Sequence, residues 1–238
     1  LGEYVAWKWF GNGQKLREEL YNKFGLTAMD NFCIGPETSG WFKKPIGELS
    51  ELKGFKMRFF GLGAKVMTKI GVSTQLLAAA DIYPALEKGV IDATEFSMPS
   101  MDINLGFYQI SKHNYFPGWH QQTSCSELLM NKAKHDALPA VYKSVLQAAL
   151  GETIIHTYAE TEARNPNAMQ EMQTKHGVKV HRWRDDQLAV FEKAWNEVVT
   201  EESANDSYFK KVAEDFYGFR KNYAIWGDAQ RMKSSYLK

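Results

Sequence analysis

The feature that most restricts how this chain can fold is the stretch from Phe55 to Phe96, where short apolar runs alternate with glycine-bounded helical runs. Phe55-Lys56-Met57-Arg58-Phe59-Phe60 alternates enough to read as a strand. Gly61-Leu62-Gly63 then opens a helix running to Ile70, with Gly71 just past its end. Asp81 caps a second helix, Pro84 sits in its first turn and Gly89 stops it. Val90 to Phe96 follows as a short strand ending in the polar-aromatic pair Glu95-Phe96. Strand–helix–strand order implies an α/β fold with a parallel sheet and right-handed crossovers. Ligands in such sheets collect at the carboxyl ends of strands, and Arg58 and Glu95 both lie near such ends.

The remaining segments extend this pattern. Asn12 to Phe24 places Leu16, Leu20 and Phe24 at helical spacing, and Gly25 stops the run. Asn31 to Pro36 reads as a strand leaving into a loop, and Ser50 to Gly54 as one helical turn closed by glycine. Tyr115 to Gln121 reads as a turn leading into a strand that continues through Leu129. Pro139 starts a long helix reaching about Arg164, Gly177 to Trp183 is a strand, and Asp185 caps a helix to about Glu201. Asp206 opens a last helix whose stripe of Phe209, Val212, Phe216, Phe219, Tyr223 and Trp226 packs on this chain or on a second copy of it.

Composition removes several function classes. The chain has 238 residues, long enough for one large domain or two modest ones, and a formal net charge of +1, so it has no pull toward nucleic acid or anionic membrane. No apolar run approaches the length of a bilayer span. Cys33 and Cys125 are too few for a disulfide scaffold and read as buried thiols. A single bridge between them is the other reading, open only in an oxidising compartment. The six histidines show no HxxxH or HExxH spacing, there is no GxSxG elbow, and Gly61-Leu62-Gly63 lacks the third glycine of a dinucleotide turn.

What remains are isolated polar residues at the ends of core elements. A guanidinium inside an apolar strand is costly unless it meets an anion. For Arg58 that anion is an internal carboxylate such as Asp92, or the carboxylate of a ligand held by charge-assisted hydrogen bonds. Glu37 follows Gly-Pro in a loop and Gln121 follows Trp-His, and nothing in their local sequence joins them.

Longer runs carry a resemblance. Gly40-Trp41-Phe42, Leu52-Lys53-Gly54-Phe55-Lys56-Met57-Arg58, Ala85-Leu86-Glu87-Lys88-Gly89-Val90-Ile91-Asp92-Ala93-Thr94-Glu95-Phe96, Leu105-Gly106-Phe107-Tyr108 and Tyr115-Phe116-Pro117-Gly118-Trp119 occur in order between Trp7 and Gly151. Together they resemble the DctP-type periplasmic solute-binding proteins of TRAP transporters, in the branch that takes 2-oxo acids, lactate and related carboxylates with a metal ion. The resemblance implies a two-lobed α/β fold with hinge strands and a long spanning helix. One lobe takes residues 1–36 and 122–165 and lacks its N-terminal part. The other takes residues 37–121 and 166–238 with the C-terminal helices. It implies a periplasmic receptor and no enzyme, working with the membrane subunits of a TRAP transporter. The alternative is a metal-dependent enzyme on small carboxylates with Glu95 as base.

Residue by residue, the family's carboxylate-gripping arginine falls on Arg58, with Glu37, Glu95, Phe96, Trp119 and Gln121 lining the ligand. The family's cation ligands fall on Glu37, Phe96 (through its carbonyl) and Gln121, for sodium or calcium. Three departures stand there: the family's glutamine is Glu37, its glutamate is Gln121 and its tryptophan is Phe96. One carboxylate and one amide are thus exchanged between two walls, and the indole donor is lost.

Overall fold

A computed structural model describes residues 1–232. In chain order the elements are α1 (Gly2–Phe10), α2 (Gly13–Asn22), β1 (Leu26–Ile34), β2 (Gly40–Phe42), β3 (Lys56–Arg58), α3 (Gly61–Lys69), β4 (Ser73–Gln75), α4 (Ala79–Glu87), β5 (Ala93–Thr94) and α5 (Pro99–Leu105). They continue with β6 (His113–Phe116), β7 (Ser124–Asn131), α6 (Lys132–Asp136), α7 (Ala140–Thr174), β8 (Lys179–Arg182), α8 (Asp185–Asn205) and α9 (Ser207–Ala229).

Packing divides the chain into two units. The first holds Leu1–Met29, Leu128–Lys143 and the described residues from Val199 onward; the second holds Asp30–Glu127 and Ser144–Val198. This grouping differs from the expected lobes, because α9 packs on the N-terminal helices. The Trp7 indole donates to Asp215 Oδ1 at 2.7 Å, and its ring lies 4.9 Å from that of Phe216. Residues 30–36, 122–127 and 144–165 go instead with the sheet, and residues 233–238 of the expected second lobe lie outside the described residues. The first half of the terminal aromatic stripe is therefore partly covered within its own unit, while Ile225 and Trp226 stay 75% and 61% exposed.

The second unit is built on a six-stranded sheet in the order β4-β3-β5-β2-β6-β8. The parallel pairing expected from the Phe55–Phe96 stretch holds for β3 with β4 and β5, while the sheet as a whole is mixed. β3 runs parallel to β4 and β5, β6 runs parallel to β8, but β2 is antiparallel to both β5 and β6. Successive side chains point to opposite faces of a strand, and each face here has its own core. Phe42, Met57, Ala93 and Tyr115 join Phe59, Trp183 and Phe191 on one side. Trp41 joins Ile82, Leu86, Ile91 and Phe107 on the other. Arg58 alternates with Met57 and pairs in register with Thr94, which in turn pairs with Trp41, so the guanidinium leaves on the Trp41 side.

Several local expectations need correction. Tyr115 and Phe116, read as the start of a turn, instead close strand β6; the breakers Pro117 and Gly118 follow it and do not interrupt it. Val90 to Phe96 keeps only two residues in the ladder. Pro84 lies in the interior of α4, whose N-cap is Ala78, so Asp81 sits in the first turn and is not the cap. α7 runs on to Thr174 through Pro166, beyond the expected end near Arg164, with Leu150, Ala168 and Met172 buried along it. Cys33 and Cys125 are bridged, joining β1 to β7, so the reading as two thiols is replaced by the disulfide. These two strands form a separate two-stranded sheet.

Candidate functional site

The antiparallel placement of β2 gathers the site. β3, β5 and β6 deliver their carboxyl ends to one edge of the sheet, and β2 presents its amino end to that same edge. Arg58 ends β3, Glu95 and Phe96 follow β5, Trp119 to Gln121 follow β6, and Glu37 precedes β2. Residues scattered over more than eighty positions thus meet without any long excursion of the chain.

Close backbone approach holds the edge together. The Glu37 N–H donates to the Gln121 carbonyl at 3.1 Å, and the Thr38 N–H to the Ser97 carbonyl at 2.9 Å. A Cβ on Gly118 would stand 2.1 Å from the Glu37 carbonyl oxygen, so only glycine allows these two connections to touch. The side chain of Gln121 then donates through Nε2 to Glu37 Oε1 at 2.8 Å. The exchanged amide and carboxylate are direct partners.

Arg58 is buried, and its anion is neither Asp92 nor yet a ligand. Nη1 donates to the Glu95 carbonyl at 2.6 Å and to Glu95 Oε2 at 2.9 Å. Asp92 instead accepts the Lys56 N–H at 2.9 Å. The guanidinium carbon sits 5.3 Å from the centre of the Phe96 ring, a cation–π placement. Phe96 thus lies beside Arg58, edge-on to Phe107. Trp119 stacks on Phe191 at 4.6 Å and on Phe59 at 6.0 Å, so its indole serves the core beneath the site.

The residue that sequence reasoning passed over is His120. Its Nε2 lies 3.6 Å from Glu37 Oε2 and 3.6 Å from Glu95 Oε1, with the histidine side chain 7% exposed. Neither ring nitrogen makes a hydrogen bond. Phe59 meets the ring edge-on at 4.9 Å and Trp119 at 5.4 Å, which fixes its plane. A buried polar group left in this condition costs about 1–3 kcal/mol. The only cue in the sequence was position: it stands between two residues the resemblance had marked.

The electrostatics are those of crowded carboxylates. Burial raises the pKa of Glu37, and the neighbouring Glu95 adds to the rise while His120 opposes it. Burial alone would lower the pKa of His120, but Glu37 and Glu95 outweigh it and hold the imidazole above its ordinary value. Behind them Asp102, fully buried on α5, accepts the Trp41 indole N–H at 2.7 Å and is pushed up to about 8 by burial. Chemically the edge offers one guanidinium, two inward carboxylates, one amide and one imidazole: a set suited to an anion and a cation held side by side.

This fold and edge define a solute-binding protein of the two-lobed α/β class. The chain belongs to the bacterial extracellular solute-binding protein family 7, which it matches over residues 3–206. It is 31% identical over 224 residues to the monocarboxylate 2-oxoacid-binding periplasmic protein of Nostoc, covering 94% of this chain and 61% of that relative. The chain therefore spans less than two thirds of that relative's length. A TRAP transporter solute-binding protein from Bordetella bronchiseptica, with copurified calcium and picolinate, superposes with a TM-score of 0.91 at 32% identity, over 96% of this chain and 68% of that one. A second, from Pseudoalteromonas atlantica with bound sodium and pyruvate, gives 0.90 at 27% identity, over 99% and 71%. The expected α/β binding-protein fold is the fold of this chain.

Proposed function

We propose that this protein is the periplasmic receptor of a TRAP transporter and captures a small monocarboxylate, a 2-oxo or 2-hydroxy acid, together with a cation. The observation that carries the reading is Arg58: a buried guanidinium at the sheet edge, tied through Nη1 to Glu95 while Nη2 makes no hydrogen bond to another described residue. Nη2 is the donor left for a ligand carboxylate. The relatives described with calcium and picolinate, with sodium and pyruvate, and as 2-oxoacid-binding support this choice. The metal-dependent enzyme alternative finds no support among them, and Glu95, its proposed base, is committed to Arg58.

The residues fit a cation. Glu37 and Glu95 are two buried carboxylates facing a nitrogen that has no hydrogen bond, and Gln121 keeps its amide oxygen free while its Nε2 fixes Glu37. When bound, the cation supplies positive charge that holds both carboxylates ionised. Two carboxylates, one guanidinium and one divalent cation sum to a single positive charge, matched by one monocarboxylate. Arg58 orients the ligand, the Phe96 ring shields the guanidinium from water, and Glu95 keeps Nη1 from swinging away. The partners proposed are the transporter's membrane subunits and a second copy of this chain through α9. β1 and β7, which pass from one packing unit into the other, are proposed as the hinge strands.

The test is calorimetric titration of pyruvate, lactate and picolinate in calcium or sodium, with Arg58→Ala and Arg58→Lys. A charge-assisted hydrogen bond contributes about 1.5–3 kcal/mol, so Arg58→Ala should weaken binding by at least about tenfold. Arg58→Lys, which keeps the charge with Glu95 but loses the planar fork, should also weaken it. Unchanged affinity in both folded variants refutes the proposal.

A further inference from the structure

Apart from the carboxylate edge, the second unit holds a cavity of about 380 Å³ between α7 and the ends of β6 and β8. That volume falls within the roughly 300–1,000 Å³ of small-molecule sites. We infer that the cavity is a second ligand site, shaped for a small zwitterion with an apolar side chain, an α-amino acid of the leucine type. Of the residues assigned above to the carboxylate and its cation, Glu37 alone also lines it. Its cationic group, Arg182, ends β8, four strand spacings from Arg58 on β3, or roughly 19 Å along the sheet.

Local periodicity sets its walls. Glu162, Asn165 and Met169 follow at helical spacing and share one face of α7. His181 stacks on Tyr115 at 4.6 Å, on the Phe42 face of the sheet. The next residue, Arg182, therefore leaves β8 on the opposite face, where Met172 of α7 packs. Phe116, its register partner, joins Met169 and four proline rings as the apolar lining. Proline fixes its own backbone φ, so this lining is rigid before any ligand arrives. The Gly35 N–H donates to Thr161 Oγ1 at 3.1 Å, and a Cβ on Gly35 would collide with Glu162 Oε1, so a glycine there admits that carboxylate.

The polar groups around the cavity are unspent and of two signs. The side chains of Arg182 and Glu162 make no hydrogen bond or ion pair to another described residue. Asn165 accepts the Ser100 N–H through Oδ1 at 3.0 Å, which leaves Nδ2 as a donor. Gln122 donates through Nε2 to the Gly118 carbonyl at 2.6 Å, which leaves Oε1 as an acceptor. Pro166 has no N–H for the Glu162 carbonyl four residues back, so that oxygen is left over as well. The cavity thus offers a guanidinium and an amide N–H for a carboxylate. It also offers a carboxylate and two neutral oxygens for the three N–H groups of an ammonium. Arg182 and Glu162 do not neutralise each other, and a ligand carrying both charges neutralises both. A plain carboxylate or a plain amine would meet one and leave the other unpaired.

The experiment titrates leucine by calorimetry into the full chain and into Arg182→Gln, Glu162→Gln and Arg58→Ala. The single-charge probes are 4-methylpentanoate and 3-methylbutylamine, which are leucine without its ammonium and without its carboxylate. They are titrated into Arg58→Ala, so that the carboxylate edge takes no part. One leucine should bind per chain, with the same affinity in Arg58→Ala as in wild type. Both charges stand at the exposed mouth, so Arg182→Gln and Glu162→Gln should each weaken leucine by about fivefold or more, and each single-charge probe should be weaker than leucine. Absence of leucine binding, equal affinity in wild type and both cavity variants, or loss of binding in Arg58→Ala would overturn the inference. A single-charge probe that matches leucine would overturn it too. If the cavity variants fail to fold, methyl-labelled methionine spectra of the wild type decide: leucine should move the Met169 resonance and leave Met57, on the other face of the sheet, in place. An unmoved Met169 resonance overturns the inference. Pyruvate binding with the Arg58 variants is read separately, so this site and the receptor reading can each fail alone.

Discussion

Asp102→Asn isolates a group whose protonation the fold controls. Asp102 is completely buried, accepts the Trp41 indole N–H at 2.7 Å through Oδ2, and leaves Oδ1 without a partner. Burial pushes its pKa up from 3.8 to about 8, the Trp41 bond opposes the rise, and the nearby Glu95 and Glu37 charges add to it. The folded state therefore holds this proton more tightly than the unfolded chain does. Stability from this group is full below about pH 4 and is lost as pH rises through the window up to about 8, at about 1.4 kcal/mol per pH unit. Between pH 6 and pH 8 the loss is about 2 kcal/mol once the flattening near the folded pKa is included. An amide keeps an acceptor for Trp41 and has no proton to lose. The assay is urea unfolding of wild type and Asp102→Asn at pH 6 and pH 8, with the difference between the proteins taken at each pH so that all other titrations cancel. The variant should gain about 2 kcal/mol on wild type between the two conditions. Parallel pH dependences in the two proteins would refute the assignment of a protonated Asp102.

Two further outcomes follow from features of the fold. The Cys33–Cys125 bridge closes a loop of sequence separation 92, so reduction, or Cys33→Ser with Cys125→Ser, should cost about 2–4 kcal/mol in urea unfolding; an unchanged midpoint counts against it. If α9 mediates self-association, Ile225→Ser with Trp226→Ser should shift the solution mass from dimer to monomer in sedimentation, and an unchanged mass dismisses that surface.

The parts of the fold that were legible are those where local chemistry and final structure agree. Gly61 opens α3 and Asp206 caps α9 through its side chain, as the residue types demand. Arg58 stood out because an apolar strand gave it no company, and the choice it left open between Asp92 and a ligand was resolved toward Glu95, just past the end of the adjacent strand β5. What was not legible depends on strand direction and pairing. β2 is three residues long and carries no mark of running against its neighbours, so neither the mixed sheet nor the meeting of Glu37 with Gln121 follows from local pattern. The disulfide was hidden for the same reason, since β1 and β7 lie far apart in sequence. His120 was missed because a single histidine beside tryptophan carries no spacing motif; its meaning arises only from two acids brought from elsewhere. α7 outruns its expected end near Arg164 because Ala168 and Met172, buried beyond Pro166, carry the helix on to Thr174.

The two-residue length of β5 has a consequence for how such a binding edge could change. Glu95 stands one position beyond the last paired residue, so the strand acts as a ruler for where negative charge is delivered. Removing one residue from this run would draw the carboxylate back by about 3.3 Å into the paired position of Thr94, between Arg58 and Trp41 in the ladder, on the face where Trp41 packs. Substitution among side chains can retune such an edge; a shift in chain length would dismantle it in one step.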